Sequence, residues 1–393
     1  MRIGMILDAP FPPDYRVEKE ALTLKMAGHE VVLFCLEYKN DSFEEDYKGI
    51  RVIHYSAGKT LYKLSALAYT FPFYRLMMEP KLDDFLARYT PDILHVHDMV
   101  IAAAALSTAK KRQLRVILDL HENRPASMRE YRHTTRFPGN VLINISTWEK
   151  MQLELARRAH RVVVVTTLAK EELVKESGID DTKVIVVPNT GTLSFAQDSI
   201  NEVVLKRMTV TFNLLYVGDT SLRRGTDDAI RVVGALKSQI PEIRLWIVGK
   251  SSADPYLKQL ASELGVTDNV VFEGWQDQEL FASYMTGAQI CLSPLKRNPH
   301  HDTTFANKLF QYMAIGRAVI VSDCVAQQRV VEAEQCGLVY EAGNVAMLAE
   351  KILVMYRDRT LLQTMGDRGR KAVEERWNWE KTSESLTEMY SQI

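Results

Sequence analysis

Short, continuous runs of Val, Ile and Leu alternate with helix-period segments along the whole chain, and this alternation constrains the fold more than any other feature. In the first half the runs are RIGMIL, EVVLFCL, IRVIHY, DILHVH, RVILDL, RVVVVT and KVIVVP. Most are apolar throughout rather than at every second place, the pattern of strands buried on both faces of a parallel sheet. Helical segments lie between them; residues 16–27 read as a helix that stops at Gly28. Residues 188–204, PNTGTLSFAQDSINEVV, break the rhythm and read as a linker. The pattern then restarts with TFNLLYVGD, IRLWIVGK, NVVFEGW, AQICLSPL, AVIVSD and CGLVYEA. Two successive βα series predict two doubly wound α/β domains, which a chain of 393 residues can build. In such sheets ligands bind beyond the carboxyl ends of the strands, so the loops after the strands, facing a cleft between the domains, are the expected site.

The apolar fraction of 46% and charged fraction of 25% are those of a globular protein. A formal net charge of −1 argues against nucleic acid as a partner. The opening MRIGMILDAP moves directly into a strand-like run without a signal peptide's apolar region, and no stretch is apolar enough to span a bilayer. Cys35, Cys291, Cys324 and Cys336 show no CxxC spacing and read as buried reduced thiols, which predicts a cytoplasmic protein with no zinc site.

Four segments of the second half, LLYVGDTSLRRGTDDAI, VVFEGWQDQELFASYMTGAQICLSPL, NKLFQYMAIGRAVIVSD and CGLVYEAGNVAMLAEKI, follow one another in an order and spacing that resemble glycosyltransferase family 4. AGHEVVLF, PDILHVHD and VILDLHEN in the first half are similar to the family too, as is the tail RWNWEKTSESLTEMY. The resemblance implies a GT-B fold and retaining sugar transfer. It divides the chain into an acceptor-binding Rossmann-like domain at 1–190, a linker at 191–210, a nucleotide-sugar domain at 211–375 and a closing helix at 376–393 that crosses back to the first domain.

A sugar-nucleotide donor carries a diphosphate, a ribose diol and a base. Cations and the free N–H groups of a helix start suit the diphosphate. Residues 303–307, Thr303, Thr304, Phe305, Ala306 and Asn307, are expected to begin such a helix, with Thr303 or Thr304 as its cap. Lys308 and Gln311 share a face, which the resemblance turns toward the donor; the plainer reading is a capped helix with a solvated lysine. The family's usual glutamates are replaced by Thr303 and Gln311. Gln311 retains an acceptor oxygen for a ribose hydroxyl but loses charge assistance, worth roughly 1 kcal/mol per bond. His300, His301 and Asp302 are candidate substitutes for the sugar contact, or an exposed polar loop. In the family a cation often follows the place of Gly218; here Asp219 stands there, needing Arg223 or Arg224 as a partner. Arg224 keeps a donor set suited to phosphate, so Arg224 and Lys308 are the expected diphosphate cations. Lys250 and Trp275 complete the donor-binding set, with EGWQDQ holding the base through its backbone.

In the first half, the resemblance puts His121 near the donor sugar, with His97 and Asp98 at the neighbouring strand end and Asp98 either binding substrate or orienting His97. Arg16 could reach a phosphate from its helix start, where Asp14 reads equally as a cap. Arg124 belongs to ENRPASMREYRHTTRFPGN, which also carries Arg129, Arg132, His133 and Arg136. With GKTLYKLSALAYTFPFYRLMMEPK this basic, aromatic surface suits an anionic or lipid-linked acceptor or a membrane face; the plainer reading is a core helix broken at Pro72 and a surface loop.

Together these features predict a retaining glycosyltransferase with His121, Arg224 and Lys308 at the chemistry. It would move a sugar from a nucleoside diphosphate sugar, UDP before GDP, to a hydroxyl of a glycan or lipid-linked glycan. No cofactor is expected, since no DxD motif stands in a strand-end loop. The alternatives are a donor-site relic acting as a binding or scaffold partner, which Thr303, Gln311 and Asp219 favour, and a sugar-nucleotide epimerase of the same fold.

Overall fold

The computed structural model describes residues 1–197 and 199–393, and the side chains of Arg132 and His133 lie outside the described set. The chain forms two compact units: Met1–Asn189 with Ser383–Ile393, and Thr190–Thr382.

The first unit holds an eight-stranded sheet of β1 (Arg2–Ile6), β2 (Glu30–Glu37), β3 (Phe43–Tyr47), β4 (Ile50–Ser56), β5 (Ile93–His97), β6 (Arg115–Leu120), β7 (Arg161–Val164) and β8 (Val184–Val186). Its order is β3-β4-β2-β1-β5-β6-β7-β8, parallel except for β3. The sequence runs miss β3 because FEEDY is acidic and exposed. It pairs antiparallel with β4 across a turn at Lys48 and Gly49, both at positive φ, and its charges guard the sheet edge. The strand order reverses at β1, which lies between β2 and β5, so the ligand crevice of this sheet is expected at the ends of β1 and β5. The helix Tyr15–Met26 starts where Asp14 accepts hydrogen bonds from the N–H groups of Arg16 and Val17 at 3.1 and 3.0 Å.

The second unit holds a wholly parallel six-stranded sheet. Its strands are β9 (Phe212–Val217), β10 (Ile243–Val248), β11 (Val270–Gly274), β12 (Ile290–Ser293), β13 (Ala318–Ser322) and β14 (Gly337–Tyr340), in the order β11-β10-β9-β12-β13-β14. Leu214 and Ile290 pack into one apolar cluster while their neighbours Leu215 and Cys291 pack into another. Both faces are therefore covered, as the unbroken apolar runs require. Here the order reverses at β9, between β10 and β12.

Pro188 and Asn189 belong to the first unit, but the described residues from 191 to 210, read as a linker, join the second unit instead. A 3₁₀ turn at Leu193–Gln197 is followed by the helix Glu202–Met208, which buries Val204 and Met208 against the sheet and is capped by Asn201. The N–H of Trp379 donates to the Gly191 carbonyl at 2.8 Å, so 376–382 also stays with this unit. From Ser383 the chain returns to the first unit, where Ser385 donates to the Val186 carbonyl at 2.9 Å and Tyr390 is buried. The four cysteines are free and buried. Among the described residues no helix is long and apolar enough to cross a membrane.

One backbone approach fixes the loop after β9. Gly225 has φ +71°, and a Cβ there would stand 1.7 Å from the carbonyl oxygen of Pro294, in the loop after β12. Gly225→Ala is expected to lower unfolding free energy by about 2 kcal/mol or more, read from a urea denaturation midpoint. An unchanged midpoint would show that the two loops move apart freely.

Candidate active site

At the carboxyl ends of β9 and β12 the second unit encloses a cavity of about 180 Å³. Gly218, Asp219, Arg224, Ala306, Asn307 and Lys308 line it, with Tyr216 and Tyr312 among the side chains behind them. Gly218 turns the chain at φ +144°, a conformation open to glycine. Asp219 does not face the cavity as a bare charge. Its carboxylate accepts from the Ser221 N–H at 3.1 Å and hydroxyl at 2.7 Å, and Arg223 lies 3.8 Å away.

Arg224 sits on the 3₁₀ turn Leu222–Arg224, half-buried, with Nε unpartnered. Lys308 opens the helix Lys308–Ala314, its Nζ 4.4 Å from the centre of the Phe281 ring. Burial pushes its pKa down to about 8. Among the described residues neither cation has an ion-pair partner. Half-buried charge without a counter-ion is unfavourable, and a bound anion relieves it.

The stretch before Lys308 differs from expectation. Asn298 caps an extra helix, Pro299–Thr303, by accepting from the His301 N–H at 2.8 Å, with proline at the first helical position. Thr303 therefore ends a helix rather than starting one, and Thr304 is extended at φ −129° and ψ 158°. Their hydroxyls donate back to the carbonyls of Pro299 and His300, each at 2.7 Å. The following helix starts at Lys308 without a side-chain cap. The Asn298-Pro299 pair was the signal for this break.

His300 and His301 are buried rather than loop-exposed. Burial pushes the His301 pKa down to about 3, and Arg224 adds to the effect, so the ring is neutral. Asp302 is held by Arg297. Phe305 packs edge-on against Phe310 and Trp377 and is not among the residues that line the cavity. Gln311 lies one turn beyond Lys308; its Oε1 is buried and unpartnered, and its Cγ is 4.0 Å from where a Cβ on Gly191 would stand. Lys250 and Trp275 are exposed and do not line the cavity.

In the first unit a buried polar cluster stands at the ends of β5 and β6. Asp119 is its centre. Arg16 grips both its carboxylate oxygens, at 2.9 and 3.0 Å, while His97 Nδ1 lies at 3.2 Å and His121 Nδ1 at 3.3 Å. Burial would raise the Asp119 pKa, but Arg16 and the two histidines hold it well below the carboxylate range. Arg16, expected to reach a phosphate, is instead sealed inside, 4% exposed, and also meets Glu20 at 2.9 Å and the Val187 carbonyl at 3.1 Å. The Asp14 cap sets the helix so that Arg16 points into the sheet.

His95 and His97 stack with ring centres 4.7 Å apart, and Tyr390 lies 2.9 Å from His95 Nδ1. Burial, then His97, holds the His95 pKa well below normal; burial raises that of Glu20. Glu20, His95, His97 and Asp119 bring ligand atoms within 4.8 Å of one another, a spacing open to a metal ion, but the Arg16 guanidinium already contacts both carboxylates.

His121 is the member of this cluster that reaches the surface, a quarter exposed. Burial would lower its pKa, but Asp119, then Asp98, raise it to about 9. Asp98, at φ +63°, accepts from the Met99 N–H at 2.6 Å and lies 3.5 Å from Arg124, which is also 2.6 Å from Glu122. Asp8, after β1, joins them: burial and then Asp98 raise its pKa to about 6, and it accepts from Tyr74 at 3.1 Å. Sequence reasoning missed Asp8, Glu20 and Asp119. A charge inside the apolar run RVILDL, two residues before His121 and so on its face, was the available signal for Asp119.

Residues 14–190 match the model of the glycosyl transferase 4-like domain, and residues 211–358 that of glycosyl transferases group 1. The chain belongs to glycosyltransferase family 4. This family 4 chain is similar over 168 residues, at 24% identity, to the GDP-mannose-dependent alpha-(1-6)-phosphatidylinositol monomannoside mannosyltransferase of Mycobacterium tuberculosis. That match covers 42% of the chain and 44% of the relative, so the chain spans less than half the length of that curated protein. Sucrose-phosphate synthase from Thermosynechococcus elongatus superposes with a TM-score of 0.79 at 19% identity, covering 100% of this chain and 98% of that one. The Anabaena protein HepE in complex with UDP-glucose gives 0.75 at 14% identity, covering 100% of both. Both likenesses establish the GT-B fold.

The His121 shift sets a pH dependence for this family 4 chain. Its proton is held more tightly in the folded state, about 9 against an ordinary 6.5, so the charged ring stabilises the fold. That contribution is complete below 6.5 and lost as pH rises through about 9. The gap in unfolding free energy between the native chain and His121→Gln is expected to shrink across that window. A constant gap would show that Asp119 does not hold the ring cationic.

Proposed function

We propose that this chain is a retaining glycosyltransferase. It moves a sugar from a nucleoside diphosphate sugar, UDP-linked by preference, to a hydroxyl of a glycan or lipid-linked glycan. The observation that carries this reading is the pair Arg224 and Lys308, two cations lining one cavity at the β9/β12 reversal with no ion-paired carboxylate among the described residues. That is the place where a doubly wound sheet binds ligands, and the charge a diphosphate needs. The GDP-mannose dependence of the mycobacterial relative and the UDP-glucose bound to HepE support a sugar nucleotide as donor.

In the reaction the acceptor oxygen bonds to the anomeric carbon on the face from which the bond to the diphosphate breaks. The electron pair leaves with the diphosphate, and the acceptor's proton passes to the departing phosphate oxygen. Arg224 and Lys308 stabilise the negative charge that develops there. This assigns the task to side chains rather than to a divalent cation. Gln311 offers its unpartnered Oε1 to a ribose hydroxyl. In the first unit His121, held cationic by Asp119, is a hydrogen-bond donor for an acceptor oxygen.

One observation favours the relic reading: Thr303, at a place where the family has a carboxylate, turns its hydroxyl away to a backbone carbonyl. Titration of the full chain with UDP and GDP by calorimetry separates the two. Binding of either with sugar turnover supports the transferase, while binding without turnover, or silence of both at millimolar concentration, leaves the relic. Above pH of about 8, where free Lys308 is losing its proton, nucleotide binding is expected to take a proton up. Lys308→Ala should abolish that uptake and weaken binding about tenfold. Arg224→Ala is expected to abolish transfer, Gln311→Glu to change it by a modest factor, and EDTA to leave it unaltered. Full turnover in Arg224→Ala would overturn the mechanism.

A further inference from the structure

The first unit contains a second, larger cavity of about 760 Å³ that the donor chemistry does not use. It lies between the segment around the helix Lys59–Ser65 and the helical turns that follow β6. Leu67, Met128, Ile143 and Trp148 give it apolar walls. The charged side chains lining it are Lys63, Arg124 and Arg136; no Asp or Glu is among the lining residues. Arg124 is shared with Glu122 and Asp98, whereas Lys63 and Arg136 have no ion-pair partner among the described residues. The indole N–H of Trp148 is buried without a hydrogen-bond partner. Through Arg124 and Asp98 the cavity adjoins the carboxyl end of β5, on the ligand side of the sheet.

The rim is as unusual as the interior. Tyr62 is 65% exposed and Phe137 83% exposed, and both line the cavity. Phe73, Leu76 and Met77 are exposed at spacings that place them on one face of the helix Phe73–Tyr89. The Phe71 and Phe73 rings stand 6.0 Å apart. The hydroxyl of Thr70 donates to the Leu142 carbonyl at 3.0 Å, which brings that face beside the helix Gly139–Leu142, where Val141 is exposed. Single exposed apolar side chains are ordinary, but a contiguous set beside unpaired cations marks a binding surface. A free glycan leaves the apolar walls unmatched, a neutral lipid leaves the cations unmatched, and inorganic phosphate leaves the cavity empty.

We propose that this cavity binds a lipid phosphate, presented from a membrane surface. The first part of the hydrocarbon chain lies against Leu67, Met128, Ile143 and Trp148. The phosphate or diphosphate head lies against Lys63, Arg124 and Arg136, and the exposed aromatic rim enters the interface. As the acceptor site this rests on the transferase reading; as a binding site it stands without it.

The test titrates the full chain by calorimetry with farnesyl phosphate, farnesol and inorganic phosphate, and separately with UDP. Farnesyl phosphate is expected to bind at least about tenfold more tightly than either farnesol or phosphate. The double substitution Lys63→Glu, Arg136→Glu should remove that preference and leave UDP binding unchanged. Ala66→Trp, which fills the cavity, should abolish lipid binding with UDP binding retained. Equal affinity for farnesol and farnesyl phosphate, equal affinity for phosphate alone, or unaltered binding by either variant overturns the proposal. UDP binding without lipid binding also overturns it, while lipid binding without nucleotide binding upholds the site and sinks the transferase reading instead.

Discussion

The buried pair of Arg16 and Asp119 is the contact on which the first unit's chemistry depends. It joins the first helix to β6, and through the Val187 carbonyl to the end of β8. Arg16 keeps Asp119 ionised in a place where burial would otherwise neutralise it. Asp119 in turn fixes both His97 and His121 by one oxygen. Two charges this deep are stable only as a matched, hydrogen-bonded set, and removing one partner of such a pair typically costs about 3–5 kcal/mol. The residue at the surface, His121, thus takes its orientation and charge from residues that never meet solvent.

The second unit solves the opposite problem. Among the described residues its cavity keeps Arg224 and Lys308 without counter-ions, and the acidic residue that lines it, Asp219, is turned onto Ser221 and Arg223. One domain holds its cation saturated and the other holds its cations unsatisfied. A protein interior tolerates the second arrangement only where the cost is repaid by an incoming anion.

The sheets were legible in the sequence because strands covered on both faces are apolar at most positions, and thirteen of the strands follow from such short apolar-rich runs. β3 was not, because its stability comes from pairing at a charged edge rather than from burial. Of the donor set, the cavity gathers Gly218, Asp219, Arg224, Ala306, Asn307 and Lys308, all on loops directly after strands or at one helix start. Thr303, Thr304 and Phe305 were misplaced because Asn298-Pro299 starts a separate turn of helix ahead of them. Arg16 was misjudged for a different reason: a sequence shows a cation near a strand end, but not the carboxylate from a strand a hundred residues later that captures it. The large cavity was foreshadowed by its basic and aromatic composition, though not its enclosure.

The contact of Tyr390 with His95 joins residues 295 positions apart within one polar cluster. A ribosome emits them in order, so the first sheet is complete long before its last buried ring exists. Until then His95 faces an open gap where the terminal helix belongs. The first half therefore leaves the tunnel as an unfinished body, and its closure waits until Tyr390 has been made.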